Sequence, residues 1–276
     1  MELTIHDYKL AQRVINEQSK AGLLVDGAFG AKSKQALRTW QGQQSLPVTG
    51  QLDSNSWSRM LVYISKRFVT IDDIVLAADK AGIPRSMLLA FWEVESVGAG
   101  FLNSGKCVIL FEGHKFYEYV STRISPRQAQ AWASKYPSLC YKGWSSQFYK
   151  GGEAEWDRFE AARALDANCA MLSTSWGLFQ LMGFNYAYGG YANVQDMVQE
   201  HMKSEHAHLE AIVNYIDRYK VGASVRARIG FAGLKEAIKA KSFTASAYIY
   251  NGSGYAQHGY HTRLQKAQTK WAYMDK

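Results

Sequence analysis

The sequence predicts a mainly α-helical protein: a small three-helix unit followed by a larger helical region with at most a small β element. Three observations carry this. Apolar residues recur at intervals of three and four along most of the 276 residues. Capping residues and turn glycines punctuate those stretches. Only one short β-branched run, Val108-Ile109-Leu110-Phe111, reads as a strand.

Taken in order, residues 7–20 read as a short helix with Leu10, Val14 and Ile15 inward. The turn-rich loop Gly22–Gly30 follows, and residues 31–44 regain helical spacing through Ala36, Leu37, Trp40 and Gln41. Pro47-Val48-Thr49-Gly50 is a turn, and Asp53 caps a last helix carrying Trp57, Met60 and Leu61. Lys66-Arg67-Phe68-Val69-Thr70 is the expected linker, which bounds a first domain at 1–66 and a second at 71–276.

From Ile71 onward the pattern is helical. Asp72 or Asp73 can cap a helix ending at Gly82, and Pro84, suited to a first helical position, opens a helix to Glu95. Further helices are expected over 126–135 and 153–170, as one long helix over 195–219, and near 226–240 and 261–273. There is no repeat and no low-complexity segment.

Composition narrows the function classes. The chain is 47% hydrophobic and 20% charged, as an ordinary folded protein is. A net charge of +8 points to an anionic partner. That charge is spread, about +3 over residues 1–66 and about +5 over the remainder, with no block of Lys and Arg. A large anionic surface is therefore favoured over nucleic acid. No segment approaches the roughly 18 apolar residues of a membrane span, so no stable membrane insertion is expected. The start, Met1-Glu2-Leu3-Thr4-Ile5-His6-Asp7, carries no signal-peptide pattern. Cys107, Cys140 and Cys169 are odd in number and widely spaced, and read as idle thiols.

The segment richest in chemistry is Phe91-Trp92-Glu93-Val94-Glu95-Ser96-Val97-Gly98-Ala99-Gly100-Phe101. Glu95 shares a helix face with Leu88, Phe91 and Trp92, at i−7, i−4 and i−3. Desolvation on such a face favours a neutral carboxyl, able to donate a proton to a leaving oxygen near neutral pH. A helix-terminal Glu reaching into water is the alternative.

In the small unit, Val25-Asp26-Gly27-Ala28-Phe29-Gly30, Ala36-Leu37-Arg38-Thr39-Trp40-Gln41, Leu46-Pro47-Val48-Thr49-Gly50-Gln51-Leu52-Asp53 and Trp57 resemble the peptidoglycan-binding domain of the three-helix type, whose pattern is VDGxFG, A(V/L)xxFQ, GLxxTGxxD and TW. Trp40 stands where Phe is usual and Ser45 where Gly is usual. The resemblance implies wall-binding positions at Asp26, Gly27, Phe29, Gly30, Trp40 and Gln41. Of these, Gly27, Gly30, Phe29 and Trp40 read more as turn and core residues that shape a groove than as ligand contacts.

Four segments of the larger region combine into one site: Glu95 with Ser96-x-Gly98-x-Gly100-Phe101; Ile109-Leu110-Phe111-Glu112-Gly113-His114-Lys115-Phe116; Thr174 to Tyr186, with Ser175, Gln180 and Asn185; and Tyr248-Ile249-Tyr250-Asn251-Gly252-Ser253-Gly254-Tyr255. Amides and aromatics in a glycine-opened groove suit a sugar polymer. Together they resemble the N-acetylmuramidase domain of modular phage endolysins and, more distantly, goose-type lysozymes and lytic transglycosylases, with their ES-G, GLxQ and YN-G elements.

That resemblance covers essentially the whole chain. It implies a lysozyme-like catalytic domain acting on peptidoglycan, with Glu95 as general acid and Gln180, Tyr250, Asn251 and Gly252 contacting substrate; Ser175, Asn185 and Tyr255 join that candidate set. Glu112 is the candidate second carboxylate for activating water, whereas Glu93 projects from another face. The alternative on the same bond is a lytic transglycosylase. No cofactor or metal is expected. His201, Glu205 and His208 are a turn apart but lack the His-Glu-x-x-His order, so a solvated face is expected there. A zinc amidase or peptidase around Glu112-Gly113-His114 lacks a third ligand at credible spacing, and a non-catalytic wall binder would not need Glu95. His258 and His261 are expected at the surface, as is the basic face of Arg263, Lys266 and Lys270. A monomer, made in the host cytoplasm and acting on the wall after a membrane lesion, completes the expectation.

Overall fold

The structure is a computed structural model that describes residues 2–96, 99–257 and 259–276, with only the backbone of Ser96. It divides into two compact units, residues 1–69 with 101–106, and residues 70–100 with 107–276.

The first unit is built on α1 (Ile5–Ser19), α2 (Ala31–Gln43) and α3 (Ser54–Arg67). Thr4 opens α1 with a capping box to Asp7, and Asp53 caps α3 through the Ser56 N–H. Leu10, Val14, Ile15, Leu37, Trp40, Met60 and Ile64 form the core. Two buried glutamines pin its turns. Gln12 Oε1 accepts from the Gly27 N–H at 2.8 Å, and Gln41 Oε1 accepts from the Gly50 N–H at 2.8 Å. Both glycines have positive φ, and a Cβ on Gly27 would lie 2.8 Å from the Ile5 carbonyl. Ser45, the departure from the usual glycine, keeps the left-handed geometry at φ 56°. Within the expected linker Phe68 and Val69 are buried, and Arg13 lies 3.8 Å over the Phe68 ring.

The second unit holds α4 (Ile71–Ala81), α5 (Arg85–Ser96), α6 (Gly113–Arg123), α7 (Pro126–Lys135), α8 (Gly152–Leu165), α9 (Ala167–Leu172), α10 (Tyr186–Gly189), α11 (Val194–Lys203), α12 (Glu205–Arg218), α13 (Ala223–Ile229), α14 (Leu234–Lys239), α15 (Phe243–Asn251) and α16 (Tyr260–Trp271). A three-stranded antiparallel sheet runs β1 (Ile109–Phe111), β2 (Thr174–Trp176), β3 (Leu181–Met182), with Phe111 opposite Thr174 and Ser175 opposite Met182. Thr70, with Asp73 in a capping box, starts α4 in place of the expected Asp72 or Asp73.

Three expected helices are broken, and the one near 226–240 is α13 and α14, parted where Gly230 ends α13 with a left-handed φ of 78°. Ser204 caps α12 through the Ala207 N–H with an extended backbone, so 195–219 is two helices. Asp166 does the same between α8 and α9 through the Cys169 N–H. In both cases a short polar side chain satisfies the helix start it creates. Helices α6 and α15 and strands β2 and β3 were not expected. Residues Met87 to Trp92 of α5 are buried, and α16 packs along α5, with Glu93 accepting from Lys270 Nζ and Trp271 Nε1 at 2.8 Å each. That contact directs Glu93 away from Glu95's surroundings. All three cysteines are buried and free.

Candidate active site

A cleft of about 590 Å³ in the second unit is lined by Glu95, Glu112, Ser175, Gln180, Asn185, Tyr250, Asn251 and Gly252, with Trp144, Tyr215 and Tyr219 among the further walls. These candidates arrive from several elements distant in the chain. Glu95 stands in the last turn of α5, Glu112 between β1 and α6, Ser175 on β2, and Tyr250 in the last turn of α15. Tyr255 does not line the cleft; its ring packs edge-on against Tyr248 and His261.

Glu95 accepts a hydrogen bond at Oε1 from the Tyr260 hydroxyl. Tyr260 is buried at the start of α16 and stacks on Tyr250, with ring centres 6.4 Å apart. Tyr250 meets Phe91 edge-on at 5.0 Å and donates its hydroxyl to the Phe179 carbonyl. Burial in this aromatic setting raises the Glu95 carboxyl from 4.5 to about 7, against the opposing pull of the Tyr260 hydroxyl and the Arg263 charge. With Oε1 accepting, the acid proton belongs on Oε2.

Glu112 is held differently. Its Oε2 accepts from the Tyr149 hydroxyl and lies 3.3 Å from His114 Nδ1. Behind it, the buried Glu155–Arg158 pair fixes the end of β1: Glu155 Oε1 accepts from the Phe111 N–H at 3.1 Å, and Arg158 Nη1 donates to the Phe111 carbonyl at 3.1 Å.

Gln180 lies in the cleft wall with its amide committed to the fold. Nε2 donates to the Gly177 carbonyl at 2.8 Å and the Val108 carbonyl at 3.2 Å, while Oε1 accepts from Ser175 Oγ at 2.9 Å. It latches Val108, the residue before β1, and β2 to the turn Gly177–Phe179, at the cost of a left-handed φ of 48°.

The expected solvated face of His201, Glu205 and His208 is the reverse of what the structure holds: all three are buried. Glu205 Oε1 accepts from the Gly100 N–H at 2.6 Å. His208 Nδ1 accepts from the Leu178 N–H at 3.0 Å, and Nε2, which therefore carries the proton, donates to the His201 carbonyl at 2.7 Å. Burial and the neighbouring His208 push the His201 pKa well below the usual histidine value. This cluster holds Gly100 and the turn before Gln180. Among the described residues no group of His, Cys, Asp and Glu could hold a metal ion. Gly98 and His258 lie outside the described residues. Arg263, Lys266 and Lys270 are exposed, and His261 is half-buried.

In the first unit, Asp26 and Gly30 line a groove of about 1030 Å³ between α1 and α2, whereas Gly27, Phe29, Trp40 and Gln41 do not. Trp40 and Gln41 are core. Phe29 packs on Tyr8 at 5.4 Å. The Gln12 amide, then the Ala28 N–H, hold the Asp26 carboxyl below its ordinary pKa.

Sequence reading missed Tyr260, Tyr149, Trp144 and the Glu155–Arg158 pair. None sits in a recognisable motif, and Tyr260, Tyr149 and the Glu155–Arg158 pair meet partners distant in the chain.

The N-acetylmuramidase family matches residues 84–272, and the peptidoglycan binding domain family matches residues 5–60. No protein of curated description matches the sequence. Among solved structures, the Burkholderia AP3 phage endolysin crystal structure is 30% identical with a TM-score of 0.61, covering 97% of this chain and 96% of that one.

Proposed function

Because this chain belongs to the N-acetylmuramidase family, with a peptidoglycan-binding domain before it, we propose the residue roles of a phage endolysin for it. It is a peptidoglycan-degrading, lysozyme-type glycoside hydrolase. Glu95 is the general acid: protonated near neutral pH, it gives its Oε2 proton to the oxygen bridging N-acetylmuramic acid and N-acetylglucosamine as that bond breaks. Glu112 takes a proton from the water whose oxygen bonds to the sugar carbon. The observation that carries this reading is a Glu95 carboxyl raised to about 7 in a cleft that also contains Glu112. A second carboxylate favours hydrolysis over the internal attack that leaves anhydro ends. Asn185, Asn251 and Gly252 are substrate contacts, while Ser175 and Gln180 shape the wall that presents them. The chain acts as a monomer.

Residues 1–66 tether the enzyme to an insoluble polymer and residues 71–276 cleave it. The net charge of +8 speeds capture by the anionic wall in a salt-dependent way.

The test is mass spectrometry of the fragments released from purified peptidoglycan by wild type and by Glu95→Gln. Reducing muramic acid ends, absent with the variant, are expected. Anhydromuramic ends would replace hydrolysis by transglycosylation. Free stem peptides with an active variant would overturn the glycosidase reading.

A further inference from the structure

One cleft residue is conspicuous for what it leaves in water. Trp144 is 54% exposed, and none of the other large, strongly exposed hydrophobic side chains among the described residues lines the cleft. An indole so exposed in a cleft wall offers a broad apolar face at little ordering cost.

The loop that carries it is fixed at both ends. At its start the Tyr141 N–H donates to the Gly113 carbonyl at 3.4 Å, and the Tyr141 ring packs so closely that a Cβ on Gly113 would lie 2.3 Å from it. At its end the Lys150 and Gly151 N–H groups donate to Glu155 Oε2 at 2.8 and 3.1 Å. Within it Tyr141 packs on Phe148 at 5.1 Å, and Tyr141 donates its hydroxyl to the Ser145 carbonyl at 3.2 Å. Trp144 also interacts through its side chain with Tyr149, whose hydroxyl donates to Glu112. The exposed ring therefore stands on a rigid support beside the second carboxylate.

We propose that Trp144 is the floor of a sugar-binding subsite at the Glu112 side of the cleft, taking one pyranose ring of the glycan strand against its indole face. The apolar C–H face of a pyranose matches an aromatic plane, and its rim of hydroxyls keeps contact with water. This rests on the glycosidase reading, and it adds that affinity grows when a strand is long enough to reach Trp144.

The experiment is calorimetric titration of soluble, unbranched peptidoglycan glycan fragments of two to eight sugars into full-length Glu95→Gln. The same titrations follow with W144A and W144F added to that background, all confirmed folded by thermal melting. The E95Q protein should gain affinity once the fragment exceeds a threshold length. W144A should erase that gain, about tenfold, and W144F should restore most of it. Binding that is independent of Trp144 at every length overturns the subsite, as does a loss that W144F does not recover. Trp144-dependent binding in a protein whose wild type cleaves no glycan would sink the glycosidase reading and leave the subsite standing.

Discussion

The Tyr260 hydroxyl donates to Glu95 Oε1, joining the first turn of α16 to the last turn of α5. This bond decides which carboxyl oxygen carries the acid proton, and it lowers a pKa that burial has raised.

Tyr260→Phe removes that lowering influence and leaves the burial. The Glu95 pKa should rise further, so the alkaline limb of the pH–rate profile should move to higher pH. The rate itself should fall by about an order of magnitude as the carboxyl loses its fixed orientation. Clearing of purified sacculi followed from pH 5 to 9 measures both. An unmoved alkaline limb would mean that Tyr260 acts on packing alone.

Glu95→Gln should stabilise the protein while abolishing activity. A carboxyl whose folded pKa exceeds its unfolded value binds more protons when folded, so stability declines as pH rises from about 4.5 towards 7. The variant lacks this cost. Its melting temperature should match wild type near pH 4 and exceed it at pH 8, the gap reflecting at most a few kcal/mol. A gap that does not grow with pH would contradict the assignment.

Gly177→Ala tests the buried histidine brace. Gly177 has φ +73°, and a Cβ there would lie 2.6 Å from the His208 ring. A loss of at least about 2 kcal/mol is expected, with activity lost because Gln180 follows three residues on. Urea denaturation reads the first effect, and a variant as stable as wild type would mean the ring yields easily.

Glu155→Gln keeps the shape of a buried side chain and strips the charge from beside Arg158. Leaving that guanidinium without its partner should cost about 3–5 kcal/mol. The midpoint of chemical denaturation is the measurement; an unchanged midpoint would show that the pair adds nothing.

Ser45→Gly restores the usual residue at a left-handed position. Relief of the φ 56° strain should raise stability by up to about 1 kcal/mol. A melting temperature equal to or below wild type would show that the Ser45 side chain offsets its strain.

Local features of this chain were legible and distant ones were not. The helix expected over Pro84–Glu95 is observed over Arg85–Ser96, and that expected over 126–135 spans Pro126–Lys135, since capping and periodicity are properties of adjacent residues. The cleft's principal residues were also visible, because Glu95, Glu112, Gln180 and Tyr250 each sit in a short motif. The breaks at Asp166 and Ser204 escaped because one polar residue interrupts an otherwise continuous apolar stripe. Strands of two and three residues, such as β3 and β2, are too short to show alternation. His201, Glu205 and His208 read as exposed because their polarity is local, while the partners that permit their burial, Gly100 and Leu178, lie far away in sequence. Tyr260 pairs with a residue 165 positions earlier, which no periodicity announces.

Glu155 does not line the cleft, yet its two oxygens reach both the strand before Glu112 and the loop that ends after Tyr149. One carboxylate thus ties the strand before Glu112 to the Trp144 loop from behind. Residues facing the polymer are free to be exchanged for others that recognise a different wall, because the Glu112 wall is held from outside the lining. An engineer altering the specificity of this enzyme would do well to treat Glu155 as the anchor of that wall and leave it alone.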